Sequence, residues 1–164
     1  MPFQDAYFVR GQGPLVSVLL PTRGRPKQLC EAVDSLHSLT GQYRSVEYLL
    51  KVDGDDKETL AVAEKLAAVV PLRMFISPRG NGYADMHHWV NSLAKMAIGD
   101  WLLLWNDDAR MDTSDWCDMV LCSGISKNAT WHGCLDICMF QAETIDRPNA
   151  REFAFLRRNV IEIL

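Results

Sequence analysis

The sequence lacks long apolar runs and any excess of basic residues. No hydrophobic stretch approaches the roughly 20 residues that a membrane-spanning helix needs, and residues 1–10, MPFQDAYFVR, lack the basic and apolar regions of a secretory signal. Lysine and arginine number 17 against 21 acidic residues, giving a net charge of −4, which does not favour nucleic acid. We therefore expect a cytoplasmic chain without a membrane span and without a nucleic-acid partner.

Complete motifs for structural zinc and for dinucleotide cofactors are also missing. The five cysteines are an odd number in apolar surroundings, which predicts free thiols in a reducing compartment. His132, Cys134 and Cys138 resemble part of a zinc site, but no second Cys or His pair completes four ligands. No GxGxxG follows the first apolar run, so a dinucleotide-dependent oxidoreductase is not expected. No additional cluster of His and Asp suggests a two-metal phosphohydrolase.

What the chain does have is the composition and length of one globular domain. It contains 164 residues, of which 48% are hydrophobic and 23% are charged. That length is sufficient to bury a substantial core. No internal repeat or low-complexity segment divides it, so we expect a single domain.

Short apolar runs alternate with amphipathic segments along the first two thirds of the chain. The apolar runs are bounded by turn residues, which is typical of strands that are buried on both faces. Between them, apolar residues recur at helical spacing, as in Leu29, Ala32, Val33 and Leu36. Strands separated by helices predict right-handed crossovers and a doubly wound, parallel α/β sheet. The predicted strands are Leu15–Leu20, Val46–Val52, Leu72–Ile76 and Trp101–Trp105.

The ends of the predicted helices also have recognisable signals. Asp55 and Glu58 have the spacing of a capping box, so the second helix is expected to begin there and to run to about Val69. Gly99 is expected to end the third helix.

A polar loop follows each predicted strand, and parallel strands bring such loops to one edge of the sheet, where open α/β sheets bind ligands. Asp107 and Asp108 are adjacent in one of these loops, and their like charges repel. A divalent cation turns that repulsion into attraction and can bridge the carboxylates to phosphate oxygens. The pair therefore predicts half of a metal and diphosphate site. The converging loops are residues 21–26, 53–56, 78–82 and 106–109.

Four segments in register resemble glycosyltransferase family 2 and its relatives of the GT-A fold. They are VSVLLPTRGRP, VDGDD, a helix ending in GD, and WLLLWNDDA, which together span about residues 14–110. The resemblance implies a mostly parallel, Rossmann-like sheet flanked by helices and short at its C-terminal end. It also implies transfer of a sugar from a nucleotide-diphosphate donor, with Mn²⁺ or Mg²⁺, to a glycan, lipid or protein acceptor.

The resemblance assigns a nucleotide pocket by position. Pro21, Thr22 and Arg23 would line that pocket, and Asp53 would contact the base or the ribose. Arg79 lies near the same edge and would belong to the same donor site.

The family's acidic cluster, known as the DxD motif, falls on Asn106, Asp107 and Asp108. Asp108 would be the first metal ligand, and Asp107 would contact the ribose or share the metal. The family is usually acidic at the position of Asn106, which can hydrogen-bond but adds no negative charge. Metal binding is therefore expected to be weaker than in relatives with the full cluster.

The resemblance also suggests how the chain is organised. Residues 1–13 would be an N-terminal extension, 14–110 the donor-binding core, and 111–164 the start of the acceptor side, which is expected to be incomplete because relatives are longer. The general base stays unassigned, and the alternative to an enzyme is a non-catalytic or truncated nucleotide-sugar-binding module. Four residues past the acidic cluster could serve as the base, and no motif distinguishes one of them: His132, Asp136, Glu143 and Asp146.

Simpler roles remain open for several of these residues. The Asp107–Asp108 pair could cap a following helix, and Arg23 and Arg25 could be solvated loop charges. The His87–His88 pair lies one helical step apart and cannot chelate as an i, i+4 pair would, so a surface role is expected. Trp105 could pack in the core or line the donor pocket. A sugar nucleotidyltransferase is another alternative, although PTRGRP only faintly matches its glycine-rich first loop.

Overall fold

A computed structural model describes residues 16–41, 45–118, 137–142 and 150–158. Within these ranges the chain forms a sheet with helices on both of its faces. The strands are β1 (Val16–Thr22), β2 (Val46–Asp53), β3 (Leu72–Ser77), β4 (Trp101–Leu104), β5 (Ile137–Ala142) and β6 (Ala150–Arg157). The helices are α1 (Pro26–Ser38), α2 (Lys57–Ala67) and α3 (Met86–Met96), and a 3₁₀ turn, Gly82–Asp85, precedes α3.

The described strands form one sheet in the order β3-β2-β1-β4-β6-β5. Strands β1 to β4 are parallel, as the alternation of strands and helices predicts. Strand β6 pairs with β4 and with β5 in the antiparallel direction. Because β1 lies between β2 and β4, the direction of winding reverses at β1. Such a reversal opens a crevice at the carboxyl ends of the strands, where ligands bind in folds of this type.

The core has two layers, one on each face of the sheet. Successive strand residues point to opposite faces, so Val18 and Leu20 pack in the cluster that contains α1 and α2. Leu19, between them, packs in the cluster that contains Leu93 of α3. All five residues Val16–Leu20 are buried, which confirms the prediction of a strand covered on both faces.

Helix α1 begins and packs as its sequence predicts. Pro26 occupies the first turn, where its missing N–H costs no hydrogen bond. The predicted apolar face is the buried one, and it consists of Leu29, Ala32, Val33 and Leu36.

The start of α2 differs from the prediction by one residue. Asp56 is the N-cap, and its carboxylate accepts a hydrogen bond of 3.2 Å from the backbone N–H of Thr59. The predicted capping box from Asp55 to Glu58 is therefore wrong. The carboxylate of Asp55 is instead bound by Arg23, a partner that is distant in the sequence.

A buried carboxylate joins three strands at the amino edge of the sheet. Glu47 of β2 accepts hydrogen bonds from the hydroxyl of Ser17 in β1, at 2.6 Å, and from Arg73 in β3, at 2.6 Å. It also accepts the backbone N–H of Ile98, at 2.8 Å, from the segment after α3. This set of contacts, the Glu47 hub, fixes one end of the sheet while the opposite edge stays open.

Gly99 lies against the same part of β1. The requirement for glycine at this position does not come from helix capping. Helix α3 ends at Met96, three residues earlier. A Cβ atom at Gly99 would lie 2.8 Å from the backbone nitrogen of Ser17, closer than real Cβ contacts. Glycine is therefore required by close approach of two backbone segments rather than by the end of α3.

Some of the predictions reach beyond the residues that the structure describes. None of the described helices is long and apolar enough to cross a membrane. Of the cysteines with described side chains, Cys30 is a free thiol, and burial raises the pKa of Cys117 to about 12. The extension 1–13, the end of the chain and the residues His132, Cys134, Asp136, Glu143 and Asp146 lie outside the described residues.

Candidate functional site

A cleft of about 370 Å³ opens at the carboxyl ends of β1 and β2 and beside the loop that follows β4. All four polar loops predicted to converge contribute to it. Every residue assigned to the donor site by resemblance lines this cleft, which places them together without testing their roles. They are Pro21, Thr22, Arg23, Asp53, Arg79, Asn106, Asp107 and Asp108.

Thr22 and Asp107 join the two strands on either side of the crevice. Strand β1 continues two residues beyond its predicted end at Leu20, and this places Thr22 at the rim. Its hydroxyl donates a hydrogen bond of 2.8 Å to Oδ2 of Asp107, and both residues are buried. Asp107 is thereby held in place in the lining of the cleft.

Arg25 bridges the two adjacent carboxylates. Its Nη1 atom lies 3.1 Å from Oδ1 of Asp107 and 2.7 Å from Oδ2 of Asp108. The attraction of Asp107, followed by that of Asp108, raises the pKa of Arg25. The side chain of Asp108 is 56% exposed, whereas that of Asp107 is 11% exposed. One carboxylate of the pair is therefore built into the fold, while the other is open to solvent and to ligands.

A second arginine binds the acidic residues after β2. Arg23 donates to Oδ2 of Asp53 at 2.5 Å and binds Asp55 through both terminal nitrogens, at 2.7 and 3.0 Å. The hydrogen bonds that Arg23 donates lower the pKa of Asp55 to about 2. The same bonds, accepted by Asp55 and Asp53, raise the pKa of Arg23. Neither Arg23 nor Arg25 is a merely solvated loop charge.

Lys51 is a member of the site that the sequence analysis missed. It is 2% exposed, lies inside β2 and forms a salt bridge with Asp53, which is 1% exposed. Its Nζ atom also lies 3.7 Å from the centre of the Trp89 ring, a cation–π contact. The available signal was a lysine in the apolar run YLLKVD, two residues before Asp53 and so on the same face of the strand.

The 3₁₀ turn and the start of α3 form an apolar wall of the cleft. Tyr83, Met86 and Trp89 line it, together with Gly82. Tyr83 is 84% exposed, an unusual position for a large aromatic ring. Flat aromatic surfaces beside a few charged groups are typical of small-molecule sites.

The acidic pair fits a divalent cation that is shared with a phosphate ligand. Among the described side chains, no group of three or more His, Cys, Asp or Glu residues is arranged to hold a metal. Mg²⁺, however, is usually bound through one or two carboxylates together with substrate phosphates and water. Asp107 and Asp108 supply two carboxylates, and Asn106 beside them is exposed. The donor set thus suits a cation that a diphosphate helps to hold.

The geometry decides between the simpler roles of three of these residues or pairs. Asp107 and Asp108 lie in a turn, and residues 109–113 are not helical, so the pair does not cap a following helix. His87 and His88 are both exposed, as expected of surface residues. Trp105 packs in the core cluster and is absent from the lining of the cleft.

Comparison with solved structures shows that the chain has the GT-A fold of glycosyltransferases. A mannosyltransferase from Pyrobaculum calidifontis, solved with GDP-Man and Mn²⁺, matches 93% of this chain and 47% of its own, with a TM-score of 0.68 and 14% identity. TarS of S. aureus, residues 1–349 solved with UDP, matches 90% of this chain and 48% of its own, with a TM-score of 0.62 and 17% identity. The same protein has been solved with UDP-GlcNAc. The chain spans about half the length of the solved structures it matches.

Comparison with protein families then identifies the chain itself. Residues 17–121 match the model of glycosyl transferase family 2, so the chain belongs to that family. No curated protein matches the chain significantly. Family membership and fold together confirm the resemblance seen in the four sequence segments, and they establish a glycosyltransferase-like protein.

Proposed function

We propose that the cleft binds a nucleotide-diphosphate sugar together with a divalent cation, and that the protein transfers the sugar to a glycan, lipid or protein acceptor. The observation that carries the proposal is the bridge from Thr22 to Asp107, because it joins the predicted nucleotide loop to the predicted metal pair within one cleft. The volume of about 370 Å³ lies within the usual range of small-ligand sites. The solved relatives that bind GDP-Man, UDP and UDP-GlcNAc support the same class of donor.

The charges of the cleft suit a diphosphate. Arg23, Arg25, Arg79 and Lys51 all line it, and arginine binds phosphate oxygens with two parallel hydrogen bonds. Arg23, Arg25 and Lys51 each contact a carboxylate of the cleft, so these three cations are already oriented toward it. A diphosphate would find preorganised donors there, which reduces the entropic cost of binding.

Individual roles follow from where each side chain lies. In this proposal Asp108 is the first metal ligand, and Asp107 shares the metal or contacts the ribose. Asp53 contacts the base or ribose, and Pro21 and Thr22 line the nucleotide pocket. When bound, the cation would stabilise the negative charge of the departing nucleoside diphosphate.

A thermal-shift screen tests donor binding. Nucleoside diphosphates and their sugars are added to the protein with and without Mn²⁺, and at least one is expected to raise the melting temperature only when the metal is present. A ligand at 100 times its dissociation constant stabilises the folded state by about 2.7 kcal/mol. Asp108→Ala is expected to lose the metal-dependent part of the shift, because it removes the exposed carboxylate.

Asp100→Ala is the matched control for this screen. Asp100 is also exposed, but it precedes β4 whereas Asp108 follows it, so it lies at the opposite edge of the sheet. This variant is expected to respond as the wild type does. Failure of every nucleotide to stabilise the wild type would contradict the proposal.

Turnover separates an enzyme from a binding module. Release of nucleoside diphosphate from the donor, measured with Mn²⁺ or Mg²⁺ and a range of acceptors, is expected if the chain is catalytic. Metal-dependent stabilisation without any release would support the alternative, a non-catalytic nucleotide-sugar-binding module.

A further inference from the structure

We infer that Arg25 competes with a divalent cation for the acidic pair Asp107 and Asp108. The cation therefore binds there weakly by itself and tightly together with a nucleoside diphosphate. This inference rests on the proposed function, because it concerns the same cleft. It adds a specific residue and a predicted coupling between the two ligands.

The guanidinium of Arg25 contacts both members of the acidic pair. One nitrogen of Arg25 contacts an oxygen of Asp107 at 3.1 Å and an oxygen of Asp108 at 2.7 Å. A single positive charge therefore already relieves the repulsion within the pair. A divalent cation that binds both carboxylates must either displace Arg25 or stay close to it, and two positive charges at short range repel.

A diphosphate offers Arg25 another partner. The side chain of Arg25 is 42% exposed and lines the cleft, so it is free to change partners without disturbing the core. Phosphate oxygens bind a guanidinium as well as carboxylates do. A diphosphate that accepts Arg25 would leave Asp107 and Asp108 available to the cation, and the two ligands would then favour each other's binding.

The neighbouring arginines have other partners and do not take this role. Arg23 is held by Asp53 and Asp55 on the β2 side of the cleft. Arg110 follows the acidic pair by two residues, but its guanidinium pairs with Glu31 of α1 at 3.7 Å. Among the described side chains, Arg25 is the cation in contact with both members of the pair.

Binding of Mn²⁺, measured by electron paramagnetic resonance of the free ion, tests the inference. Wild type and Arg25→Gln are titrated with Mn²⁺ alone, with UDP present and with GDP present. Arg25→Gln is expected to bind Mn²⁺ alone about fivefold more tightly than the wild type, and to lose most of the coupling, which typically lies between about 5-fold and 150-fold. It is also expected to bind the nucleoside diphosphate more weakly without metal, so the two ligands change in opposite directions.

Two further variants separate a specific contact from a general effect of charge. Arg110→Gln removes the same charge close to the pair and is expected to bind Mn²⁺ as the wild type does. Arg25→Lys keeps the charge but loses the planar fork, and it is expected to fall between wild type and Arg25→Gln. Circular dichroism checks that each variant is folded.

The outcomes distinguish this inference from the proposed function. Equal affinity of wild type and Arg25→Gln for Mn²⁺ alone would overturn the inference that Arg25 competes with the cation. An equal gain in Mn²⁺ affinity in Arg110→Gln would overturn it as well. Nucleotide binding with unchanged coupling in Arg25→Gln would overturn the inference while leaving the proposed function intact. Failure of the wild type to bind either nucleotide, with or without Mn²⁺, would contradict the proposed function and the coupling together.

Discussion

Several charged side chains in the cleft have more than one partner. Asp53 is bound by Lys51 from its own strand and by Arg23 from the loop after β1. Arg25 likewise binds two carboxylates of the loop after β4. These bridges join segments far apart in sequence, and they hold each acidic group in one orientation.

Removal of Arg23 is expected to raise the pKa of Asp55. Hydrogen bonds from Arg23 lower that pKa from 3.8 to about 2. The folded value lies below the ordinary one, so the pair stabilises the fold above pH 3.8, and this contribution is lost as pH falls toward 2. Carbon-13 NMR titration of the Asp55 carboxylate should show its midpoint moving toward the ordinary value in Arg23→Gln. Arg25→Gln, which contacts other carboxylates, should leave the midpoint of Asp55 unchanged.

At this scale the sequence predicts acidic residues better than their cationic partners. Asp53, Asp107 and Asp108 stand at or just after strand ends, and the topology alone brings such positions together. Lys51 lies within a strand, and its role depends on Trp89, which belongs to a helix on another part of the chain. Long flexible side chains choose partners through the tertiary structure, which local patterns do not encode.

The start of α2 illustrates how an element and the site depend on one residue. Asp56 caps the helix through the N–H of Thr59, and it also accepts the backbone N–H of Gly24 at 2.5 Å. Burial alone would raise the pKa of Asp56, but these hydrogen bonds hold it below its ordinary value. A helix cap and the loop after β1 are thus fixed by the same carboxylate.

Asp56→Ala is expected to destabilise the protein more than Asp55→Ala does. Loss of an N-cap side chain costs about 1 kcal/mol, and Asp56 loses the contact with Gly24 in addition. Asp55 is 61% exposed in its pair with Arg23, and exposed pairs of that kind contribute little. Urea unfolding of both variants provides the comparison. A larger loss in Asp55→Ala would show that the cap has been assigned to the wrong residue.

Helices and strands are predictable because their patterns are local, whereas the residues at which they begin and end are not. The apolar face of α1 follows from spacing alone, and the structure buries those positions. The cap of α2 was misassigned because Asp55 and Asp56 are chemically alike, and only the position of Arg23 decides between them. The extension of β1 to Thr22 likewise depends on pairing with β2, since Thr22 is opposite Val52.

The whole sheet has a closed edge and an open edge. At the closed edge the Glu47 hub joins β1, β2, β3 and the segment after α3. At the open edge lie the loops of the cleft. Stability and ligand binding are therefore carried by opposite ends of the same strands.

Glu47→Ala is expected to lower stability without removing the ligand site. Breaking a buried charged pair typically costs several kcal/mol, and about 3 kcal/mol is expected here because Arg73 is partly exposed. Urea unfolding measures the loss, with Glu64→Ala on the exposed side of α2 as a control that should change little. At urea concentrations below the unfolding midpoint, nucleotide with Mn²⁺ should still raise the melting temperature of the variant by as much as that of the wild type.

The hydrogen bond between Thr22 and Asp107 has a consequence for how the molecule opens. It connects side chains 85 positions apart in the chain, on either side of the pairing between β1 and β4. Separating those two strands would also divide the binding surface. A molecule bound in the cleft would therefore oppose the separation of β1 from β4, because transient fraying at the centre of the sheet would require its release.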